Sequence, residues 1–226
     1  MSEATQIVAI DGPAGAGKSS AAREAARRLG FRFLDTGAMY RAATWRALRD
    51  GVSPNNKPAL IASTRAMKLD MVEEPGGLRV LVDGEDVTDA IRTPEITRQI
   101  KLLDQIPDVR AHLVELQRHF GEGGPTVAEG RDIGTVVFPK ARCKIFLDAS
   151  PEERARRRAE QLTAKGVPFD LEELKQEIRD RDEASRKRRI APLRQAEDAV
   201  LLDTTELDFE QVVQRLVAIA REKLCL

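Results

Sequence analysis

Between Gln6 and Ser20 the chain reads Q-I-V-A-I-D-G-P-A-G-A-G-K-S-S. Within it Gly12, Pro13, Ala14, Gly15, Ala16, Gly17, Lys18 and Ser19 fit the spacing G-x-x-x-x-G-K-S/T without a mismatch, and Ser20 follows directly. The chemistry follows from the residue types. Glycine tolerates positive φ, so successive backbone N–H groups can turn inward and form an anion nest at a helix N-terminus. Lys18 is placed to reach the β- and γ-phosphates of a nucleoside triphosphate, and the Ser19 hydroxyl to ligate Mg²⁺. Such a loop specifies a triphosphate but not its fate. A switch or motor, a small-molecule kinase and a nucleotide-dependent binding module all remain open at this point.

Other residues narrow the choice. A GTPase switch needs a guanine-reading N-K-x-D, and the chain's Asn56-Lys57 continues as Pro58-Ala59. Arginines gather at Arg131, at Arg154, Arg157 and Arg158, and at Arg179, Arg181, Arg186, Arg188 and Arg189. Guanidinium groups clamp phosphates in transfer because they bind oxygens bidentately and keep their charge. The interleaved Glu152, Glu153, Asp180, Asp182 and Glu183 equally suit solvated helix faces laced with i,i+4 pairs. Lysine plus arginine total 37, as do aspartate plus glutamate, so no global field favours nucleic acid or an anionic membrane, and a nucleic-acid patch would also lack interleaved aromatics. His112 and His119 read as solvent-facing residues of one helix, and no serine–histidine pair or metal cluster supplies a general base. Phosphoryl transfer to an acceptor that is already a phosphate dianion needs none; positioning and charge neutralisation suffice.

The elements that must position these groups follow from periodicity and punctuation. Ile7 to Ile10 form a buried strand, and a helix opens at Lys18, carries Ala22, Ala25, Ala26 and Leu29 on one face, and is stopped by Gly30. Phe31 to Leu34 make a short strand ending at Asp35, and Ala38 to Arg49 a second helix. The rhythm then changes. Ala59 to Lys68 is helical, and Leu69 to Val72, Leu78 to Val82 and a piece near Val87 read as small antiparallel strands joined by Pro75-Gly76-Gly77 and Asp83-Gly84 turns. Roughly Ala59 to Thr97 is therefore an inserted subdomain. Thr93-Pro94 opens a helix, Pro107 interrupts, and a further helix runs from Asp108. Thr126 to Gly130 and Lys144 to Asp148 are core strands, and Ser150-Pro151-Glu152-Glu153 is a capping box for the next helix. Gly166-Val167-Pro168 breaks that helix, Asp170 to Arg189 is a long charged one, Val200 to Asp203 is the last strand, and Asp208 caps a terminal amphipathic helix. Five core strands alternating with helices make this an α/β chain.

Cys143 and Cys225 are far apart with no metal-type spacing, which points to a reducing compartment. No run of about 18 apolar residues and no apolar signal core is present, so the expectation is a soluble, cytoplasmic protein without membrane or nucleic-acid partners.

Six segments together resemble the bacterial cytidylate kinase family: D-G-P-A-G-A-G-K-S (Asp11 to Ser19), L-D-T-G-A-M-Y-R (Leu34 to Arg41), G-E-D-V-T-D-A-I-R-T-P-E-I (Gly84 to Ile96), G-R-D-I-G-T-V-V-F-P (Gly130 to Pro139), K-I-F-L-D-A-S-P-E-E-R-A-R-R-R (Lys144 to Arg158) and A-P-L (Ala191 to Leu193). The loop is generic, whereas the segment from Gly130 and the I-R-T-P-E element are specific to that family. The resemblance implies the P-loop nucleoside monophosphate kinase fold and reversible transfer of the ATP γ-phosphoryl group to CMP and dCMP, with Mg²⁺; a monomer is the separate expectation. It also implies a CORE with a five-stranded parallel sheet (about 1–36, 106–150 and 190–226), an NMP-binding subdomain enlarged by a small β insertion (about 37–105), and a LID with its following helix (about 151–189).

By that resemblance Arg41, Arg131 and Arg188 hold the acceptor phosphate or the transferring group, while Arg157, Arg158 and Arg181 close from the LID side. Asp35, Thr36, Tyr40, Arg110, Asp132 and Ser185 complete the acceptor set, with Asp35 and Asp132 also suited to capping strand ends. Three positions depart from the family pattern: Glu129 replaces an aspartate, Ser185 replaces a sugar-contacting aspartate, and Lys101 stands where a small hydroxyl residue is common. They bear on Mg²⁺ geometry, on CMP against dCMP and on cytosine against uracil. A related kinase acting on UMP or shikimate, and an ATP-gated nucleic-acid-binding protein, are the alternative readings.

Overall fold

The first strand, β1 (Ile7–Asp11), is buried along its whole length, as its unbroken apolar run requires. It is the middle strand of a five-stranded parallel sheet in a computed structural model that describes residues 6–74, 77–164 and 166–226. The chain continues through α1 (Lys18–Leu29), β2 (Arg32–Asp35), α2 (Thr36–Arg49), α3 (Lys57–Ala66), β3 (Leu69–Glu74), β4 (Gly77–Val82), β5 (Glu85–Asp86), α4 (Pro94–Gln99), α5 (Pro107–Glu122) and β6 (Thr126–Gly130). It ends with β7 (Cys143–Asp148), α6 (Pro151–Ala164), α7 (Leu171–Arg186), β8 (Val200–Asp203) and α8 (Phe209–Leu224). The sheet order is β2-β6-β1-β7-β8, with β1 parallel to both β6 and β7, and β7 parallel to β8. The chain divides into two compact units, Met1–Phe33 with Gly121–Leu226, and Leu34–Phe120. No helix among the described residues is long and apolar enough to cross a membrane.

Local chemistry sets most boundaries. α2, α3, α4, α7 and α8 are capped by the side chains of Asp35, Asn56, Thr93, Asp170 and Asp208, each accepting a backbone N–H of the first turn. In α6 the Ser150 hydroxyl accepts the Glu153 N–H at 3.2 Å, and the Glu153 carboxylate is taken by Arg156 and Arg157. α1 differs. Its N-cap is Gly17, left-handed at φ 83°, with no side chain to cap the helix, so its leading N–H groups stay available to an anion.

Several boundaries depart from the sequence expectation for identifiable reasons. α2 begins at Thr36, because Asp35 Oδ1 already accepts the Ala38 N–H at 2.7 Å. α3 runs from Lys57 to Ala66, earlier than 59–68, since Asn56 caps it and Pro58 suits the first turn. Pro107 starts α5 rather than interrupting a helix. The third small strand is Glu85–Asp86, just before Val87. Asp83 (φ 52°) and Gly84 (φ 85°) make a two-residue turn with both centres left-handed, which fixes the register so early. Pro75 and Gly76 of the other expected turn lie outside the described residues. α7 stops at Arg186, three residues short of Arg189. Ala191 is left-handed (φ 48°) and the Leu193 N–H returns to the Ser185 carbonyl at 2.9 Å, so Arg188 and Arg189 sit on a returning loop.

Candidate functional site

In the first unit, β1 delivers the chain into the loop. A Cβ at Gly12 would collide with the Leu147 carbonyl of β7, so only glycine permits this close crossing. Gly15 and Gly17 take φ 77° and 83°, turning the backbone inward as a nest does.

Lys18 is buried. Its amine folds back to donate to the Pro13 carbonyl at 2.6 Å, closing the loop on itself. Burial first, and the Arg131 guanidinium second, push its pKa down to about 7, against the attraction of Glu129, Asp11 and Asp182. Ser19 donates its hydroxyl to Glu129 Oε1 at 2.7 Å, and Ser20 is exposed one residue on. Glu129 lies opposite Ile10 in the β1–β6 register, which brings its carboxylate to the loop. The pair offers two oxygen donors on one side of the nest. Among the described residues no group of three or more His, Cys, Asp or Glu could hold a metal.

Arg131, directly after β6, donates from Nη1 to the Gly12 carbonyl at 2.5 Å. Desolvation and the neighbouring Arg181 and Arg188 bring its pKa down to about 10, so it keeps its charge at neutral pH in a place unfavourable to one. Asp132 is buried at the head of a π-helical turn, Ile133–Val137. That turn is held from β1, for Asp11 accepts the Ile133 and Gly134 N–H groups at 2.7 and 2.8 Å.

The arginines of α6 separate by face. Arg154 is 3% exposed, forms an ion pair with Asp182 at 2.5 Å, and donates to the Ala14 and Ala149 carbonyls, each at 3.0 Å. Asp182 in turn accepts the Ala14 N–H at 3.3 Å, so α6 and α7 together grip the loop at one residue. Arg157 donates to Glu153, to the Thr204 hydroxyl and to the Thr204 carbonyl, tying α6 to the segment after β8. Arg158 is not brought to the loop; it is exposed and donates to Gln161. On α7, Arg181 is exposed while Ser185 is buried on the face that carries Leu174, Ile178 and Asp182. Arg188 is half-buried. The grip of Arg154 and Asp182 on the loop, and that of Asp11 on the turn after β6, cannot be seen from spacing; the one local signal is an arginine beside the apolar Ala155 of α6.

In the second unit, Asp35 is indeed a strand-end cap, and its second oxygen pairs with Arg41 Nη2 at 3.0 Å. A Cβ at Gly37 would stand 3.0 Å from Arg41 Nη1 and 3.1 Å from Asp35 Oδ1, so glycine there lets Arg41 fold onto Asp35. Arg41 Nε is buried without a hydrogen-bond partner among the described residues. Thr36 is buried at the first position of α2. The Arg110 guanidinium lies 5.5 Å from the Tyr40 ring centroid and donates to the Asp104 carbonyl at 3.4 Å. Lys101 is exposed on the 3₁₀ turn Ile100–Leu102. Of the histidines, His119 is exposed as expected but His112 is half-buried, sharing an edge of α5 with Leu116.

The chain is similar to known proteins. Residues 8–222 match the profile of the family described as cytidylate kinase. The chain is 50% identical over 217 residues to a cytidylate kinase of Geobacillus kaustophilus (strain HTA426), covering 96% of this chain and 97% of the relative. It is 47% identical over 222 residues to a cytidylate kinase of Exiguobacterium sp. (strain ATCC BAA-1283 / AT1b), covering 98% and 99%. Among solved structures, a shikimate kinase from Bacteroides thetaiotaomicron superposes with a TM-score of 0.50 at 15% identity over 99% of this chain and 100% of the other, a likeness of fold alone. With a profile spanning nearly the whole sequence and half of all residues shared with a full-length relative, the chain belongs to the cytidylate kinase family.

Proposed function

We infer that the protein transfers the γ-phosphoryl group of ATP to CMP, and to dCMP, giving ADP and CDP or dCDP. The observation that carries this reading is the Arg131 guanidinium held on the Gly12 carbonyl, which sets a permanent cation from the acceptor set against the first residue of the triphosphate loop. In the reaction a phosphate oxygen of CMP forms a bond to the γ-phosphorus while the bond to the β–γ bridging oxygen breaks and ADP departs. The CMP phosphate is largely a dianion above pH 6, so no side chain need remove a proton. The nest and the uncapped start of α1 bind the donor phosphates, Lys18 leaves the Pro13 carbonyl for the β- and γ-phosphates, and Arg131 neutralises charge on the group in transit.

Mg²⁺ suits Ser19 and Glu129, since it is commonly held through one or two oxygen side chains plus substrate phosphates, and it would supply charge neutralisation on the β- and γ-oxygens. Arg41, Arg131 and Arg188 are assigned to the acceptor phosphate, and Thr36, Tyr40, Arg110 and Asp132 to the rest of CMP. Arg157, Arg158 and Arg181 are assigned to closure over the phosphates from the LID side, which for Arg158 requires leaving Gln161. Ser185 and Lys101 are the positions at which sugar and base selectivity depart from the family pattern. We further assign the CORE, NMP-binding and LID division, a monomer, a cytoplasmic setting and a place in pyrimidine nucleotide metabolism.

A coupled assay with ATP and Mg²⁺ against CMP, dCMP, UMP, AMP and shikimate tests the assignment. The cytidine nucleotides should be preferred, and equal turnover of the others would overturn it. Arg188→Ala should raise KM for CMP; an unchanged value would remove Arg188 from the acceptor set.

A further inference from the structure

Asp11 lies outside every contact assigned above to either nucleotide, yet it is a carboxylate only 5% exposed at the end of the central strand. Both of its oxygens are committed to the far side of β6: Oδ1 to the Ile133 N–H at 2.7 Å and Oδ2 to the Gly134 N–H at 2.8 Å. These are the two residues that follow Arg131 and Asp132. Immediately after Asp11, the Gly12 carbonyl receives the Arg131 guanidinium. The pair Arg131–Asp132 is therefore held at both ends by two consecutive residues, one through its side chain and one through its backbone. Gly134 also leaves room beside this contact. A Cβ there would touch Asp11 Oδ2 at 3.4 Å and be tight against Lys144 Cδ at 3.2 Å.

The charge has a cost that a simple cap would not need. Burial, with Asp132 close by, raises the Asp11 pKa to about 6 despite the two N–H donors and Lys18. A short turn could be closed by a neutral acceptor with less desolvation. An anion with two convergent oxygens instead fixes two successive N–H groups, and with them the direction in which the preceding residues leave β6.

We propose that Asp11 is a positioning residue for the acceptor nucleotide, aiming Arg131 and Asp132 by clamping the Ile133–Gly134 backbone from the end of β1. The proposal rests on the reading of Arg131 and Asp132 as acceptor contacts, and the test separates the two. KM for CMP and for ATP are measured for Asp11→Asn, Gly134→Ala, Arg131→Ala and Asp132→Ala. Asp11→Asn keeps the shape but presents an NH₂ to one of the two N–H donors; it should raise KM for CMP about tenfold and leave KM for ATP within about twofold. Gly134→Ala crowds the same clamp from the other side and should shift KM for CMP in the same direction by a smaller factor; it carries the test alone if Asp11→Asn does not fold.

If Arg131→Ala and Asp132→Ala raise KM for CMP while Asp11→Asn and Gly134→Ala do not, the clamp is overturned and the acceptor assignment stands. If Arg131→Ala and Asp132→Ala leave KM for CMP unchanged, the acceptor assignment falls and the clamp with it. Equal losses for ATP and CMP in Asp11→Asn would mean general damage to the loop and would also overturn the proposal.

Discussion

Replacing Lys18 with methionine should make the nucleotide-free protein more stable and nearly inactive. The ammonium is buried, donates to one carbonyl and stands near the Arg131 guanidinium, which explains the fall of its pKa from 10.5 to about 7. At about 1.4 kcal/mol per pH unit, that fall corresponds to roughly 5 kcal/mol as the cost of keeping the group charged in the folded protein. Methionine removes the charge and keeps most of the stem. The attractions to Glu129, Asp11 and Asp182 are already contained in that figure; against the gain stand the lost donor to Pro13 and the looser fit of the methionine stem, so the net benefit at pH 7 is at least about 1 kcal/mol. For a chain of this length that raises Tm by about 2–4 °C. The turnover number should fall by at least about 10²–10³, the scale on which loss of one preorganised charge-stabilising donor is felt.

The pH dependence gives a stricter check. In the unfolded chain Lys18 holds its proton to about pH 10.5, whereas in the folded protein it releases it near 7. Between those values the unfolded state binds more protons, so this group makes wild-type stability rise with pH by up to about 1.4 kcal/mol per unit. Lys18→Met lacks that contribution. Its advantage should be largest below pH 7 and shrink steadily towards pH 9. Thermal melts of both proteins, without nucleotide, across pH 6 to 9 read this directly. A Tm for Lys18→Met more than about 2 °C below wild type at pH 6, or a constant difference across the range, refutes the reasoning.

The same displaced pKa predicts proton uptake on ATP binding, because the donor phosphates restore the ammonium. Calorimetric titrations at pH 8 in buffers of different ionisation enthalpy should show up to about one proton taken up by wild type and none by Lys18→Met. Arg154→Ala should cost about 3–5 kcal/mol by leaving Asp182 buried without its cation, lowering Tm by about 10 °C; a drop under about 3 °C would argue against a tight grip on Ala14. Cys143 is buried, with its thiol pushed up to about 12 by desolvation, and Cys225 is exposed. A thiol reagent should therefore titrate one cysteine in the native protein and two in denaturant.

What the sequence discloses here is set by the range of the forces involved. The loop, its flanking strand and helix, and the caps at Asp35, Thr93 and Asp208 were readable because donor and acceptor lie within three residues of each other. The end of α7 was not, because it depends on Leu193 returning to Ser185 and on a left-handed Ala191, neither of which composition announces. Nor could spacing rank the arginines. Arg154, Arg157 and Arg158 are alike in type, and only the packed helix decides that the first grips the loop, the second ties to Thr204 and the third faces solvent. Asp11 reads in the sequence as the start of the loop motif. Its partners lie 122 and 123 residues away, across a strand pairing that local periodicity cannot specify.

Those long-range contacts also bear on how a chain with no net charge comes to attract polyanions. The 37 basic and 37 acidic residues cancel over the whole molecule, so any preference for phosphate must be local. Around the loop, Arg131 lowers the hold of Lys18 on its proton, and Arg181 and Arg188 in turn lower that of Arg131. The acids among them are already committed: Glu129 to Ser19, Asp182 to Arg154 and the Ala14 N–H, Asp11 to the turn after Asp132. Lys18 apart, which leaves the Pro13 carbonyl, the cations are thus held in place at some cost to the free protein, and an incoming phosphate relieves the repulsion among them, which is the arrangement that favours charge developing in transfer over charge at rest. Because a first phosphate eases Lys18 and Arg131 together, it alters the field felt by the second, and by linkage that influence between donor and acceptor must be reciprocal.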